Sequence, residues 1–189
     1  MIAGLLEFII KLVFNCVSLL VLLRFLLQCV KVNFFHPMVQ MLVRVTNPIV
    51  LPVRRITPVF SSWDWSCIIV VIIVGLIKYL LLMALNRVAM APLIVLGMIL
   101  IDILQDILTL YFYALIFVAI CSWFRDSPNA RIVLDILERL TNPLMRLLKF
   151  KVRYRNIDFK PMILLFIIML VQSGLYIVKA FLANLNVGG

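Results

Sequence analysis

Four long apolar stretches decide what this chain can become. They run over about residues 5–30, 67–85, 93–123 and 162–183, and a helix that crosses a bilayer needs roughly 20 mostly apolar residues. Of the 189 residues 66% are hydrophobic and 14% charged, with a mean hydropathy of +1.20. Soluble domains run at roughly 45–50% apolar and about 25% charged. A soluble fold of this length has no room to hide so much apolar surface, and a bilayer removes the need to hide it. The sequence therefore predicts an all-α membrane protein with four transmembrane helices. The third stretch is long for one untilted span, which predicts an interfacial first turn or two after Pro92, or a strong tilt. No basic region precedes the first stretch, where Glu7 comes before Lys11, and no small-residue cleavage site follows it. That helix is expected to stay as an anchor.

The chain says nearly the same thing twice. LVRVTNPIVLPVRR (42–55) aligns with LERLTNPLMRLLKF (137–150), setting Thr46, Asn47 and Pro48 on Thr141, Asn142 and Pro143. With one gap, SSWDWSCIIV (61–70) then aligns with RNIDFKPMIL (155–164), setting Asp64 on Asp158 and Trp65 on Phe159. Residues 1–88 and 89–189 thus read as two copies of a helical hairpin, each a span, an amphipathic connector and a second span. Two spans per copy give both copies the same orientation, so the repeats are parallel rather than inverted.

Charge sets the expected topology. The long connectors and their flanks hold thirteen of the eighteen cations: Lys31, Arg44, Arg54 and Arg55, then Arg125, Arg131, Arg139, Arg146, Lys149, Lys151, Arg153, Arg155 and Lys160. The short link near NRVAMAP (86–92) has only Arg87. By the positive-inside rule both connectors are cytoplasmic and both termini lie on the outer side.

Within each connector, T-N-P predicts the end of one helix and the start of another, because the residue before a proline is pushed out of helical conformation. SPNARIVLDILERLTN (127–142) offers Ser127 as a cap, a face of Ile132, Ile136, Leu137 and Leu140, and an opposite face of Arg131, Asp135, Glu138 and Arg139. That is an amphipathic helix of the interfacial type. HPMVQMLVRVTN is its more apolar counterpart. KFKVRYR (149–155) alternates Lys149, Lys151, Arg153 and Arg155 with Phe150, Val152 and Tyr154. Period two predicts an extended ribbon with one basic and one apolar face. Together with Arg146, its cations suit anionic lipid headgroups, at roughly 1 kcal/mol each near an anionic leaflet. A protein partner, a single-stranded nucleic acid or a plain topology signal are the other readings of the same pattern, and nucleic acid is the less favoured partner.

Ionisable residues inside spans mark function or a structural pair. Lys78 and Asp102 are equally distant in sequence from residue 90, the centre of the short hairpin, so antiparallel helices bring them to one depth as an ion pair. Asp106, one turn on, is expected to join them or to meet Arg24. Glu7 and Lys11 read as an i,i+4 pair. The alternative is a proton or cation path. Catalytic signatures are missing from the sequence: no Ser-His-Asp pattern, H-E-x-x-H, P-loop or G-x-G-x-x-G occurs, and the two span aspartates share one helix. The single histidine, His36, cannot supply bis-histidine haem ligation. Cys16, Cys29, Cys67 and Cys121 are too far apart for a C-x-x-C site. The expectation is a protein without cofactor, metal or catalysis.

These motifs resemble the YggT family of small bacterial and plastid membrane proteins. The family pattern is Asn/Asp-Pro, then Pro-x-Arg-Arg, then an Asp before Ser-Pro. It falls on Asn47, Pro48, Pro52, Arg54, Arg55 and Asp64 in the first copy, and on Asn142, Pro143, Lys149, Asp158 and Pro161 in the second. The second copy departs from it, with Leu147 for proline, Phe150 for the second arginine and Lys160 for serine. The resemblance implies a non-catalytic multi-pass protein of the bacterial inner membrane. It links the chain to osmotic-stress tolerance and, through plastid relatives, to cytochrome haem maturation and nucleoid distribution. The reading is an organising or stress-related factor acting through its connectors, with membrane lipid, a protein or a second copy as partner. A small potassium or proton transport component, or an assembly factor for a haem or cytochrome complex, is the alternative.

Overall fold

The computed structural model describes residues 2–32, 37–56, 64–122, 128–147, 153–154, 157–158 and 160–185. The helices are α1 (Ile2–Cys29), α2 (Pro37–Ile56), α3 (Trp65–Asn86), α4 (Pro92–Ser122), α5 (Pro128–Leu147) and α6 (Lys160–Leu185). Four of them, α1, α3, α4 and α6, are long and apolar enough to cross a membrane. Only 11–33% of their most apolar windows is buried, so most of the apolar surface of these helices points away from the protein, as a bilayer requires. Helix α4 is continuous from Pro92, with no broken first turn. Its 31 residues reach roughly 46 Å at 1.5 Å per residue, well beyond a hydrocarbon core of about 30 Å, a length that calls for tilt, for interfacial end turns, or for both.

The ends of the spans follow local rules. Helix α3 stops at Arg87, whose φ of 52° is left-handed, and the Val88 N–H returns to the Met83 carbonyl at 3.2 Å. Helix α1 closes in the same way at Lys31 (φ 54°), with the Val32 N–H on the Leu27 carbonyl at 3.1 Å. Both are six-to-one closures that satisfy an orphan carbonyl. Pro92 then opens α4 at the first helical position, where a missing N–H costs nothing, and the Ala91 carbonyl accepts from Ile94 and Val95.

The connectors correct one expectation. T-N-P does not break either helix: Pro48 and Pro52 lie inside α2, and Pro143 lies inside α5. The physical reason is where the prolines face. Pro48, Pro52 and Pro143 are exposed, and so are Arg44 and Arg139, each four residues before a proline. A proline leaves the carbonyl four residues back without its N–H, and on an exposed face water or a headgroup can satisfy it. The bend that a proline imposes is then tolerated. Part of the extended ribbon is described: β1 (Arg153–Tyr154) pairs antiparallel with β2 (Ile157–Asp158), Arg153 opposite Asp158 and Tyr154 opposite Ile157. Lys149, Lys151 and Arg155 lie outside the described residues, as does His36.

Two compact units emerge, and they do not follow the boundary of the sequence duplication. One comprises Met1–Ile107 with Leu175–Gly189, the other Leu108–Gly174. In the first unit Val21, Leu22, Leu26 and Leu27 of α1, Val39 and Val50 of α2, and Val70, Val71 and Val74 of α3 are buried. Its second cluster joins Tyr79 of α3 to Val95, Met98 and Ile99 of α4, with Leu182 and Ala183 of α6 against them. Gly75 permits the close approach of α3 and α4 there, because a β-carbon at that position would lie 3.0 Å from the Ile99 side chain. Small residues allow such approaches between membrane helices. The second unit centres on Leu115 of α4 with Leu164 and Ile168 of α6, and Leu144 and Met145 of α5 pack on them. The division falls inside α4 and α6 because each supplies one part to each core.

Candidate functional site

Two arrangements in the first unit gather polar side chains where a membrane helix bundle has few. The first ties the surface helix to a span. Thr46 is 2% exposed and its hydroxyl donates to the Leu42 carbonyl at 2.8 Å, with the Val43 carbonyl at 3.2 Å. Bonding back to the preceding turn lets a threonine be buried in mid-helix and favours a bend. Its oxygen then accepts from Arg24 Nη1 at 3.0 Å, and the same nitrogen donates to Asn47 Oδ1 at 2.9 Å. Arg24 lies on α1 and is 6% exposed. A buried guanidinium is costly unless it finds acceptors, and here two neutral oxygens of α2 take the protons of Nη1. Further along, Arg54 approaches Asp64 at 3.9 Å, and Asp64 is buried just before α3 begins. The T-N pair thus joins α2 to α1, and the later Arg-Asp pair joins α2 to the start of α3.

The second arrangement lies within the spans. Asp102 of α4 accepts from Lys78 of α3 on one carboxylate oxygen and from Lys179 of α6 on the other. Tyr79 donates to Asp102 Oδ2 at 2.9 Å. Lys78 also donates to Asn15 of α1 at 3.2 Å and sits 5.0 Å from the centre of the Tyr79 ring, a cation–π distance. Lys78 and Asp102 are thus in contact, but the expected third member differs. Asp106 is within ion-pair distance of neither lysine nor Arg24 among the described residues. Arg24 is engaged on α2, and Lys179 completes the cluster from another helix.

The duplication is written into this geometry. Lys78 reaches Asn15 across 63 residues; Gln172 reaches Thr109 at 3.0 Å, also across 63 residues. Each tie joins the second span of a copy to its first, charged in one copy and neutral in the other. Among the described residues the Arg24 link is not repeated. Thr141 is equally buried and bonds back to Leu137 at 2.9 Å, but Ala119 stands where Arg24 would, 22 residues before the threonine, and Asn142 is exposed.

The profile of the CCB3/YggT family matches residues 3–85 and again residues 97–178. The chain belongs to this family. YggT of Escherichia coli K12, described as uncharacterised, is 31% identical over 186 residues, covering 97% of this chain and 96% of its own. Uncharacterised proteins of Haemophilus influenzae and Vibrio alginolyticus are 29% and 28% identical, over 85% and 75% of this chain and 86% and 79% of theirs. No solved structure matches.

In this YggT-family chain the motif residues fall into distinct environments. Asn47 and Asp64 take arginine partners. Pro48, Pro52, Arg54 and Arg55 are exposed on α2, and Asn142 and Pro143 are exposed on α5, as is Arg146 of the expected lipid or partner surface. Pro161 lies in the first turn of α6, where proline is tolerated. Arg153 and Asp158 face each other as partners in the two short strands. Among the described residues no three His, Cys, Asp or Glu side chains come together as a metal site. Sequence reasoning missed Lys179 and Asn15. A census of every ionisable residue in the four spans would have raised Lys179, whereas Asn15 gives no local signal.

Proposed function

We propose that this protein is a non-catalytic organising factor of the bacterial inner membrane, serving osmotic-stress tolerance, that acts through connector helices lying at the membrane surface. The observation that carries this reading is the outward face of α2. Met41, Val45 and Ile49 are 70%, 52% and 39% exposed and form one row at i, i+4 and i+8. Exposed Arg44 and Arg55 run beside that row. An apolar stripe edged by arginine suits the boundary between headgroups and acyl chains. Arg24 ties the same helix to α1, so whatever moves α2 at the surface acts directly on a span. Helix α5 offers a different face: Asp135, Arg139, Asn142 and Arg146 are exposed, with Arg139 bonded to Asp135 at 3.0 Å. Such mixed charge suits a protein partner or a second copy. The excess of Lys and Arg in the connectors supports a cytoplasmic position for them and a periplasmic one for both termini.

The transport alternative has the intramembrane cluster in its favour, but Lys78 and Lys179 already take both oxygens of Asp102. The test uses the whole chain in a strain lacking its own relative. Met41→Ser, Val45→Ser and Ile49→Ser together, or Lys149→Gln, Lys151→Gln, Arg153→Gln and Arg155→Gln together, are expected to abolish rescue of growth after hyperosmotic shock at unchanged abundance. Full rescue by both variants refutes the proposal. So does potassium or proton flux through the purified protein in liposomes.

A further inference from the structure

A cavity of about 660 Å³ opens among the spans of the first unit, within the roughly 300–1,000 Å³ of small-molecule sites. Its rim carries Glu7, Asn86 and Asn184, near the start of α1 and the ends of α3 and α6. Asn15, Lys78 and Lys179 line its inner end. Glu7 to Asn15 and Asn86 to Lys78 are both eight residues, roughly 12 Å along a helix, so the inner end lies at hydrocarbon depth. Between the two ends stand Leu82, Met98 and Ala183, each four residues rimward of Lys78, Asp102 and Lys179 in turn. They form an apolar wall. The cavity also opens sideways: Asn15 of α1 and Tyr176 and Ala180 of α6 line it and are exposed, although all three belong to membrane-crossing helices. Among the described residues no hydrogen bond or ion pair joins the lining residues of α1 to those of α6. What lies beyond the gap between these helices at that depth is lipid.

The charges around the cavity balance. Lys11 faces Glu7 at 2.5 Å, and Lys78 and Lys179 take the two oxygens of Asp102. Asp106 is near enough to both lysines for their charges to act on it. Three cations stand against three anions, and a charged ligand would upset that balance inside a span, where an unmatched charge is costly. Hydrogen bonding is a separate count, and it leaves donors over. Lys179 gives Asp102 one of its N–H groups, and an ammonium has three. Asn15 accepts from Lys78 through Oδ1, which leaves its amide NH2 to donate. Neither has another acceptor among the described residues, and both line the cavity. A lipid tail alone would leave these donors dry and unmet. Water alone would leave the apolar wall wet.

We propose that this cavity binds the head of a membrane-dissolved para-quinone. The ligand that fits is neutral, accepts hydrogen bonds without donating any, and carries its polar atoms below the headgroup layer. A diacyl phospholipid fails the last requirement, because its polar atoms stay at the surface. A quinone with a long hydrocarbon tail meets all three. One carbonyl accepts from Lys179 and Asn15, the ring lies against Leu82, Met98 and Ala183, and the tail leaves between α1 and α6 beside the exposed Tyr176. The site is made of span residues and of none from the connectors, so the inference stands apart from the connector reading.

The test is a titration of the full chain with decylubiquinone in neutral detergent, read as the shift of the thermal unfolding midpoint. Decylubiquinone is expected to raise the midpoint saturably. Decylbenzene, which keeps a ring and the same tail without any oxygen, should act at least tenfold more weakly. Both ligands meet the same parent chain, so that comparison stands even if a variant fails to fold. Asn15→Leu and Lys179→Leu should each raise the half-saturating concentration of decylubiquinone at least tenfold and leave that of decylbenzene unchanged. Ala180→Trp, which narrows the side gap and leaves every charge in place, should weaken both ligands. No shift with decylubiquinone, or an equal shift with decylbenzene, overturns the proposal. So does quinone binding that is indifferent to both Asn15→Leu and Ala180→Trp. Displacement of decylubiquinone by an equal concentration of dioctanoyl phosphatidylglycerol also overturns it, by assigning the cavity to lipid in general.

Discussion

Replacing Asp102 by Asn isolates the one anion that holds three helices together. In the native cluster its carboxylate answers Lys78, Lys179 and the Tyr79 hydroxyl. Asp102→Asn keeps the size and leaves both ammoniums without their counter-charge in a membrane span. Removing one member of a buried ion pair costs about 3–5 kcal/mol. With roughly 2–4 °C per kcal/mol for a chain of this length, the midpoint should fall by roughly 6–20 °C. Lys78→Met should cost less, because Asp102 keeps Lys179 and Tyr79. The loss is then near that of one charge-assisted hydrogen bond, about 1.5–3 kcal/mol. Lys179→Gln should also cost less than Asp102→Asn, because Asp102 keeps Lys78 and Tyr79. Adding Lys78→Met to Asp102→Asn should recover part of the loss by removing one stranded charge. The assay is thermal unfolding in detergent, read by size-exclusion fluorescence of a tagged chain. Asp102 does not hold the cluster together if Asp102→Asn costs no more than Lys179→Gln, or if the double variant is no more stable than Asp102→Asn alone.

Arg24→Leu should free α2 from α1 while leaving α5 untouched. Each hydrogen bond to a charged group contributes about 1.5–3 kcal/mol, so hydrogen exchange over residues 37–56 should quicken at least tenfold with residues 128–147 unchanged. Equal protection of 37–56 in the two proteins would show that Thr46 and Asn47 do not anchor the helix. Reporter fusions after Gly189 should be active only on the periplasmic side, and a cytoplasm-active fusion there would overturn the four-span orientation. Binding of the full chain to phosphatidylglycerol vesicles through the cations of residues 149–155 should weaken from low salt to physiological ionic strength, where charges are screened beyond about 8 Å. Salt-independent binding would show that the cations do not drive it.

The sequence by itself determined the elements and their repetition. Runs of about 20 apolar residues can only be spans, and two T-N-P connectors at matching places in two hairpins can only be a duplication. Equal distance from the short hairpin's centre was enough to set Lys78 and Asp102 at one depth. The connectors were legible as amphipathic, but not as unbroken. A proline's effect depends on whether the carbonyl it orphans faces protein or solvent; the polar face already held Arg139, but only the packed structure shows Arg44 on the exposed side. Beyond the pairing of Lys78 with Asp102, partner choice between spans was decided by the tertiary structure. Lipid is as apolar as leucine, so the hydrophobic pattern that marks a span says little about which helix it packs against. That is why Lys179 rather than Asp106 completes the Asp102 cluster, why Arg24 turns to Thr46 and Asn47, and why the two compact units divide α4 and α6 instead of following the repeat.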